Sequence, residues 1–97
     1  MLNSRQRSYL MSLAATLDPI MQIGKAGVSP ETVDSLEEVF NNRELVKLTV
    51  LKTSPDEPKE AAEKLSSRTH AENVKVIGRK IILYRENKDN PKIELPR

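Results

Sequence analysis

Ile20-Met21-Gln22-Ile23-Gly24-Lys25-Ala26-Gly27-Val28-Ser29-Pro30-Glu31 is the stretch on which the fold turns. Its first four residues, apolar except for Gln22, suit a short strand that Gly24-Lys25-Ala26-Gly27 cuts off. A helix start follows. Ser29 suits the N-cap, Pro30 the first helical position, where its missing N–H is no loss, and Glu31 the first turn. Val28 and Val33 stand where a hydrophobic staple would put them. Val33, Leu36 and Phe40 then form a buried stripe, which Asn41-Asn42 stops.

A strand that turns through two glycines into a helix is the first part of a β-α-β unit. Leu45 to Leu51 supplies the second strand, with Val46, Leu48 and Val50 on one face and Lys47 and Thr49 on the other. A right-handed crossover makes the two strands parallel. Upstream, Asn3 caps a first helix with Gln6 in capping-box position, and its stripe is Leu10, Leu13, Ala14 and Leu17. Asp18-Pro19 ends it, because a residue before proline avoids the α region. Downstream, Thr53 to Pro58 is a loop and helix entry, and a third helix burying Ala61, Ala62 and Leu65 runs to about Thr69. Val74 to Ile77 and Lys80 to Tyr84 are strands joined by the Gly78-Arg79 hairpin turn. The order α-β-α-β-α-β-β predicts an α/β (mixed α+β) fold: a four-stranded mixed sheet with the helices packed on one side. The tail from Glu86 to Arg97 reads as polar and loose, although Ile93 and Leu95 offer anchors.

At 97 residues, without internal repeats, residues 1–97 form a single domain. The absence of cysteine excludes disulfides, Cys-ligated zinc and a thiol nucleophile, and a single histidine, His70, excludes a His-rich metal site. No apolar run is long enough for a membrane span, and the first seven residues lack the apolar stretch of a secretory signal. A soluble, cytoplasmic protein with no membrane contact is the expectation. Net charge is only +2, but it is unevenly spread: +2 over residues 1–28, −4 over 29–72 and +4 over 73–97. A fold that joins the two ends would present a cationic face suited to phosphates, although 31% charged residues also serve plain solubility.

No catalytic constellation stands out. The G-x-S-x-G and H-E-x-x-H patterns are missing, and Gly24-Lys25 lacks the spacing of a P-loop. Glu37-Glu38 reads as a solvated helix flank and His70 as a surface residue at a helix end. What remains is the G-x-x-G of Gly24, Lys25, Ala26 and Gly27. Two glycines let backbone N–H groups approach a ligand near a helix N-terminus, and Lys25 adds a cation, as in the loops by which KH domains clamp RNA. Taken alone the motif is weak, because a strand-to-helix turn often needs glycine anyway. Arg79, Lys80 and Arg85, with Lys75, cluster about the last two strands, where charge also protects a sheet edge from aggregation. Aromatic stacking platforms are scarce: Phe40 belongs to the core, leaving Tyr9 and Tyr84, so if RNA is the ligand a folded RNA suits this chain better than a free strand.

Leu10-x-x-Leu13-Ala14, Pro19, Ile23-Gly24-Lys25-x-Gly27-Val28-Ser29, Glu44 to Leu48, and Val76-Ile77-Gly78 followed by Leu83-Tyr84-Arg85 occur in an order that resembles the CRM domain, named for chloroplast RNA splicing and ribosome maturation. The likeness spans about residues 3–85, and the single copy resembles the stand-alone prokaryotic YhbY-type member. The resemblance implies a fold like the C-terminal domain of translation initiation factor three, with a KH-like loop. It also implies binding to ribosomal RNA within precursors of the large ribosomal subunit, without enzymatic activity or cofactor. Carried over, the RNA-contacting residues are Gly24, Lys25, Ala26 and Gly27, helped by Arg5, Arg7, Arg79, Lys80 and Arg85, and the acidic stretch 56–63 faces away from RNA. A monomer is the expected state. The competing expectation is a protein-interaction adaptor that uses an exposed sheet face, with the G-x-x-G a structural turn only.

Overall fold

A computed structural model of the chain describes residues 2–97. The elements are α1 (Ser4–Ala14), β1 (Met21–Ile23), α2 (Pro30–Phe40), β2 (Leu45–Val50), α3 (Pro58–Thr69), β3 (Glu72–Ile77) and β4 (Lys80–Tyr84), in the expected order. Reciprocal capping boxes start the first two helices. The Asn3 side chain accepts from the Gln6 N–H at 2.8 Å while the Gln6 side chain accepts from the Asn3 N–H at 3.1 Å. Ser29 and Thr32 do the same for α2, with Pro30 at its first position.

The sheet is four-stranded in the order β1-β2-β4-β3. Only β1 and β2 are parallel, with Met21 opposite Leu48 and Ile23 opposite Val50. The other two pairings are antiparallel.

The placement of helices on one side is corrected. Ile23, Val46, Leu48, Val50, Ile81 and Leu83 face α2 and α3, which contribute Leu36, Phe40, Ala61, Ala62 and Leu65. Leu45, Val74, Ile82 and Tyr84 face the other way and pack on α1 through Leu10 and Ala14. The reason lies in β4, where Ile81, Ile82, Leu83 and Tyr84 are all buried, as befits a central strand covered on both faces. Lys47, also on the α1 face, donates to the carbonyls of Ala14 and Leu17 at 3.2 Å and so caps the end of α1. Beyond α1 this face of the sheet stays open along the row Gln22, Thr49, Lys80 and Ile77 and at Lys75 on the edge strand.

The tail is docked, not loose. Glu44 is 4% exposed, and its carboxylate accepts from the N–H groups of Asn87 (2.9 Å), Lys92 (2.6 Å) and Ile93 (2.7 Å). Ile93 and Leu95 join the α1-side core. No described helix is long and apolar enough to cross a membrane.

Burial opposes ionisation of Glu44, but the N–H groups of Asn87, Lys92 and Ile93, with the Lys92 charge, outweigh it and hold its carboxyl below the ordinary 4.5. The tail's anchorage is therefore complete above that value and is lost as pH falls from it through the lower folded value. On acidification, amide protection at residues 87–95, measured against the intrinsic exchange rate at each pH, is expected to fall before that of the sheet. Glu44→Ala should abolish that pH dependence at a cost of about 2 kcal/mol in chemical denaturation.

Candidate nucleic-acid interface

The turn between β1 and α2 is closed by the Gly27 N–H donating to the Gly24 carbonyl at 2.9 Å. Gly27 has φ +65°, a conformation that side-chain-bearing residues rarely adopt. Lys25 and Ala26 form an exposed tip, and their N–H groups meet no acceptor among the described residues. Two free donors beside a lysine at a strand-to-helix turn form a positively polarised spot suited to a phosphate oxygen.

The inner side of the turn is different. The Val28 N–H donates to Asp56 Oδ2 at 3.0 Å, and Lys64 Nζ holds Asp56 Oδ1 at 2.6 Å. The Lys64 ammonium and the Val28 N–H keep the Asp56 carboxyl below its ordinary value, with the Arg68 charge assisting. The first carboxylate of the acidic stretch 56–63 is thus turned into the loop.

Around the tip stand four cations. Lys52 follows β2 as Lys25 follows β1, each two residues beyond the paired Val50 and Ile23. Arg79, at the β3–β4 turn, crosses over to the Val50 and Leu51 carbonyls at 3.3 and 3.4 Å, leaving its remaining donors free. Lys80 is exposed and donates to Thr49 Oγ1 at 2.9 Å. Lys25, Lys52, Arg79 and Lys80 therefore share one end of the sheet.

Arg5, Arg7 and Arg85 do not join them. The Arg85 N–H bonds the Glu44 carbonyl, whereas the Val50 N–H bonds the Arg79 carbonyl, so the two arginines flank opposite ends of β2, roughly 20 Å apart at the rise of a strand. The Arg85 guanidinium pairs with Glu37 at 2.8 Å, donates to the Thr69 carbonyl at 2.9 Å and lies 4.8 Å from the Phe40 ring centre. Arg7 donates to the Asn73 and Val74 carbonyls at 2.6 and 2.9 Å, filling the bulge in edge strand β3. Arg5 reaches the Arg97 carbonyl at 3.2 Å. Arg7 and Arg85 thus tie elements of the fold together, whereas Arg5 makes one exposed contact with the end of the tail. Tyr84 is buried and its hydroxyl pushed up to about 12, by burial first and then by Glu44 and Glu86, so Tyr9 is the exposed tyrosine. His70 ends α3 in the left-handed conformation and is exposed. No group of three or more His, Asp or Glu side chains among the described residues is placed to hold a metal ion.

Sequence reasoning missed Lys52 and Asp56. The parallel register would have placed Lys52 beside Lys25, but nothing local in Pro55-Asp56-Glu57 marks which carboxylate turns inward.

A mixed α/β domain with a G-x-x-G turn leading from a parallel strand into a helix is the class that the geometry defines. The CRS1 / YhbY (CRM) domain family matches residues 2–85, and the chain belongs to that family. It is 38% identical over 96 residues to a Bacillus subtilis protein named "Probable RNA-binding protein YqeI", covering 99% of this chain and 100% of the relative. It is 29% identical to an "RNA-binding protein" of Haemophilus influenzae, over 99% and 96% of the two chains. The solution structure of the hypothetical protein SAV1595 from Staphylococcus aureus superposes with a TM-score of 0.83 at 48% identity, covering 99% of this chain and 100% of that one.

The two glycines differ in what they require. A Cβ on Gly27 would lie 2.7 Å from Asp56 Oδ2 and 3.0 Å from Pro55 Cγ, on a backbone with φ +65°. Gly27→Ala should cost about 2–3 kcal/mol, a fall in melting temperature on the order of 10 °C. A Cβ on Gly24 meets only Leu51 Cδ1 at 3.8 Å, so Gly24→Ala should leave the melting temperature within about 3 °C of wild type.

Proposed function

We propose that this chain is a non-enzymatic RNA-binding protein that takes hold of the RNA backbone at the loop end of its sheet. The observation that carries the reading is the pair of unpartnered N–H groups at Lys25 and Ala26, at the end of the sheet that also carries Lys52, Arg79 and Lys80. Family membership and the RNA-binding names of the relatives support it. With the Tyr84 ring buried and Phe40 in the core, contact falls on backbone and shape, which favours a folded RNA. The resemblance to the YhbY type extends the proposal: a monomer, in the cytoplasm, bound to ribosomal RNA in precursors of the large subunit and assisting their assembly.

Four phosphate contacts on a duplex-like backbone should weaken binding about 150-fold between 50 and 200 mM salt. Lys25→Ala should lower that ratio to about forty-fold by removing one contact. An affinity indifferent to salt, or a Lys25→Ala slope equal to wild type, contradicts the loop as the contact.

The ribosomal part is tested separately by following the protein through a sucrose gradient of cell lysate at low salt. Enrichment with large-subunit precursors, and absence from mature ribosomes, is the expected outcome. Retention at the top of the gradient would leave RNA binding without a ribosomal destination.

A further inference from the structure

The carboxylate of Asp56 sits in an unusual place for a protein that binds phosphates. It occupies the N–H of Val28, the residue just after the G-x-x-G, and lies against the face of Gly27 that lacks a side chain. Electrostatics alone makes it a liability, because a negative charge beside the loop repels RNA. Its surroundings show why it is fixed there. The Ser54 N–H bonds the Leu51 carbonyl, the Ser54 hydroxyl donates to the Asp56 carbonyl and accepts from the Asp56 N–H, and Lys64 of α3 grips the carboxylate. Only 9% of Asp56 is exposed. A chain of contacts thus runs from α3 through Lys64 and Asp56 to the Val28 N–H.

We propose that Asp56 is a positioning residue for the RNA-binding loop: it anchors the inner side of the turn to α3, so that the Lys25 and Ala26 N–H groups stand fixed and outward. This deepens the preceding proposal and rests on its reading of the loop. The deep anion position at Val28 is filled from within, so RNA phosphate is confined to the tip. A loop held in its binding conformation loses less freedom on association, and that is where affinity is gained. The second glycine acquires a specific reason, since the anchor itself takes the space of the missing Cβ.

The test exploits a conflict of sign. Asp56→Ala and Asp56→Asn remove the same negative charge, but the asparagine amide oxygen still accepts from Val28, and Lys64, already 42% exposed, is free to swing into solvent. Charge alone predicts that both variants bind RNA more tightly. Positioning predicts that Asp56→Ala binds about five- to ten-fold more weakly while Asp56→Asn stays within about two-fold of wild type.

Circular dichroism establishes that each variant is folded, and Lys25→Ala measured beside them reports on the loop itself. If Lys25→Ala weakens binding while Asp56→Ala binds as well as wild type or better, positioning is overturned and the loop reading survives. If neither variant changes affinity, the loop is not the contact and both proposals fall. Amide exchange in the wild-type protein gives a reading that needs no variant. Val28 should be protected, and Lys25 and Ala26 should exchange freely until RNA is added. Exchange of Val28 as fast as that of Lys25 would show the anchor open in solution and overturn the proposal.

Discussion

Parallel pairing of β1 with β2 is the constraint on which the remaining geometry depends. Parallel neighbours cannot be joined by a tight hairpin, so the chain must leave the end of β1, cross over as α2 and re-enter beside its own start. The loop after β1 and the loop after β2 therefore emerge at the same end of the sheet. The antiparallel pairing of β4 with β2 then brings the β3–β4 turn to that end as well. Three connections far apart in sequence converge, and Lys25, Lys52, Arg79 and Lys80 converge with them.

This convergence gathers cations at one end of the sheet in a chain whose net charge is only +2, and it is there that we propose RNA phosphate is held. Fold and function divide the cations between them. Arg85 ties α2 and α3 to β4, Arg7 covers the bulge of an edge strand, and Lys47 caps α1. Each neutralises carbonyl or carboxylate groups that would otherwise lack partners. The cations at the loop end make fewer such contacts and keep donors for a ligand. On the other balance, Glu44 is spent on the tail and Asp56 on the turn, so two of the carboxylates nearest the basic segments are already satisfied by N–H donors.

Much of this was legible in the sequence, for identifiable reasons. The Ser29-Pro30 start and the alternation of Val46, Leu48 and Val50 are local patterns, and the structure keeps them. The helix arrangement was less legible, because the alternation of Val46, Leu48 and Val50 marks one covered face of β2 and is silent about the other. Leu45 and the unbroken run Ile81 to Tyr84 carried the information that the second face is also covered. The candidate site was half legible. A G-x-x-G marks a tip from sequence alone, but clustering by residue type placed Arg5, Arg7 and Arg85 with Arg79 and Lys80. Only strand register separates them, six positions along β4 from Arg79 to Arg85 sufficing to reach the far end of the sheet. The role of Asp56 was illegible for a related reason: its partner Val28 lies 28 residues away and is met only through the crossover.

Backbone amide chemical-shift mapping during titration with a folded ribosomal RNA fragment discriminates most directly between the two ends of the molecule. Perturbations concentrated at residues 24–28, 52 and 78–80, with residues 5, 7 and 85 unmoved, are the result that the loop-end interface requires. Perturbations centred on Arg5, Arg7 and Arg85 while Lys25 and Ala26 stay silent would place the RNA at the opposite end and contradict it.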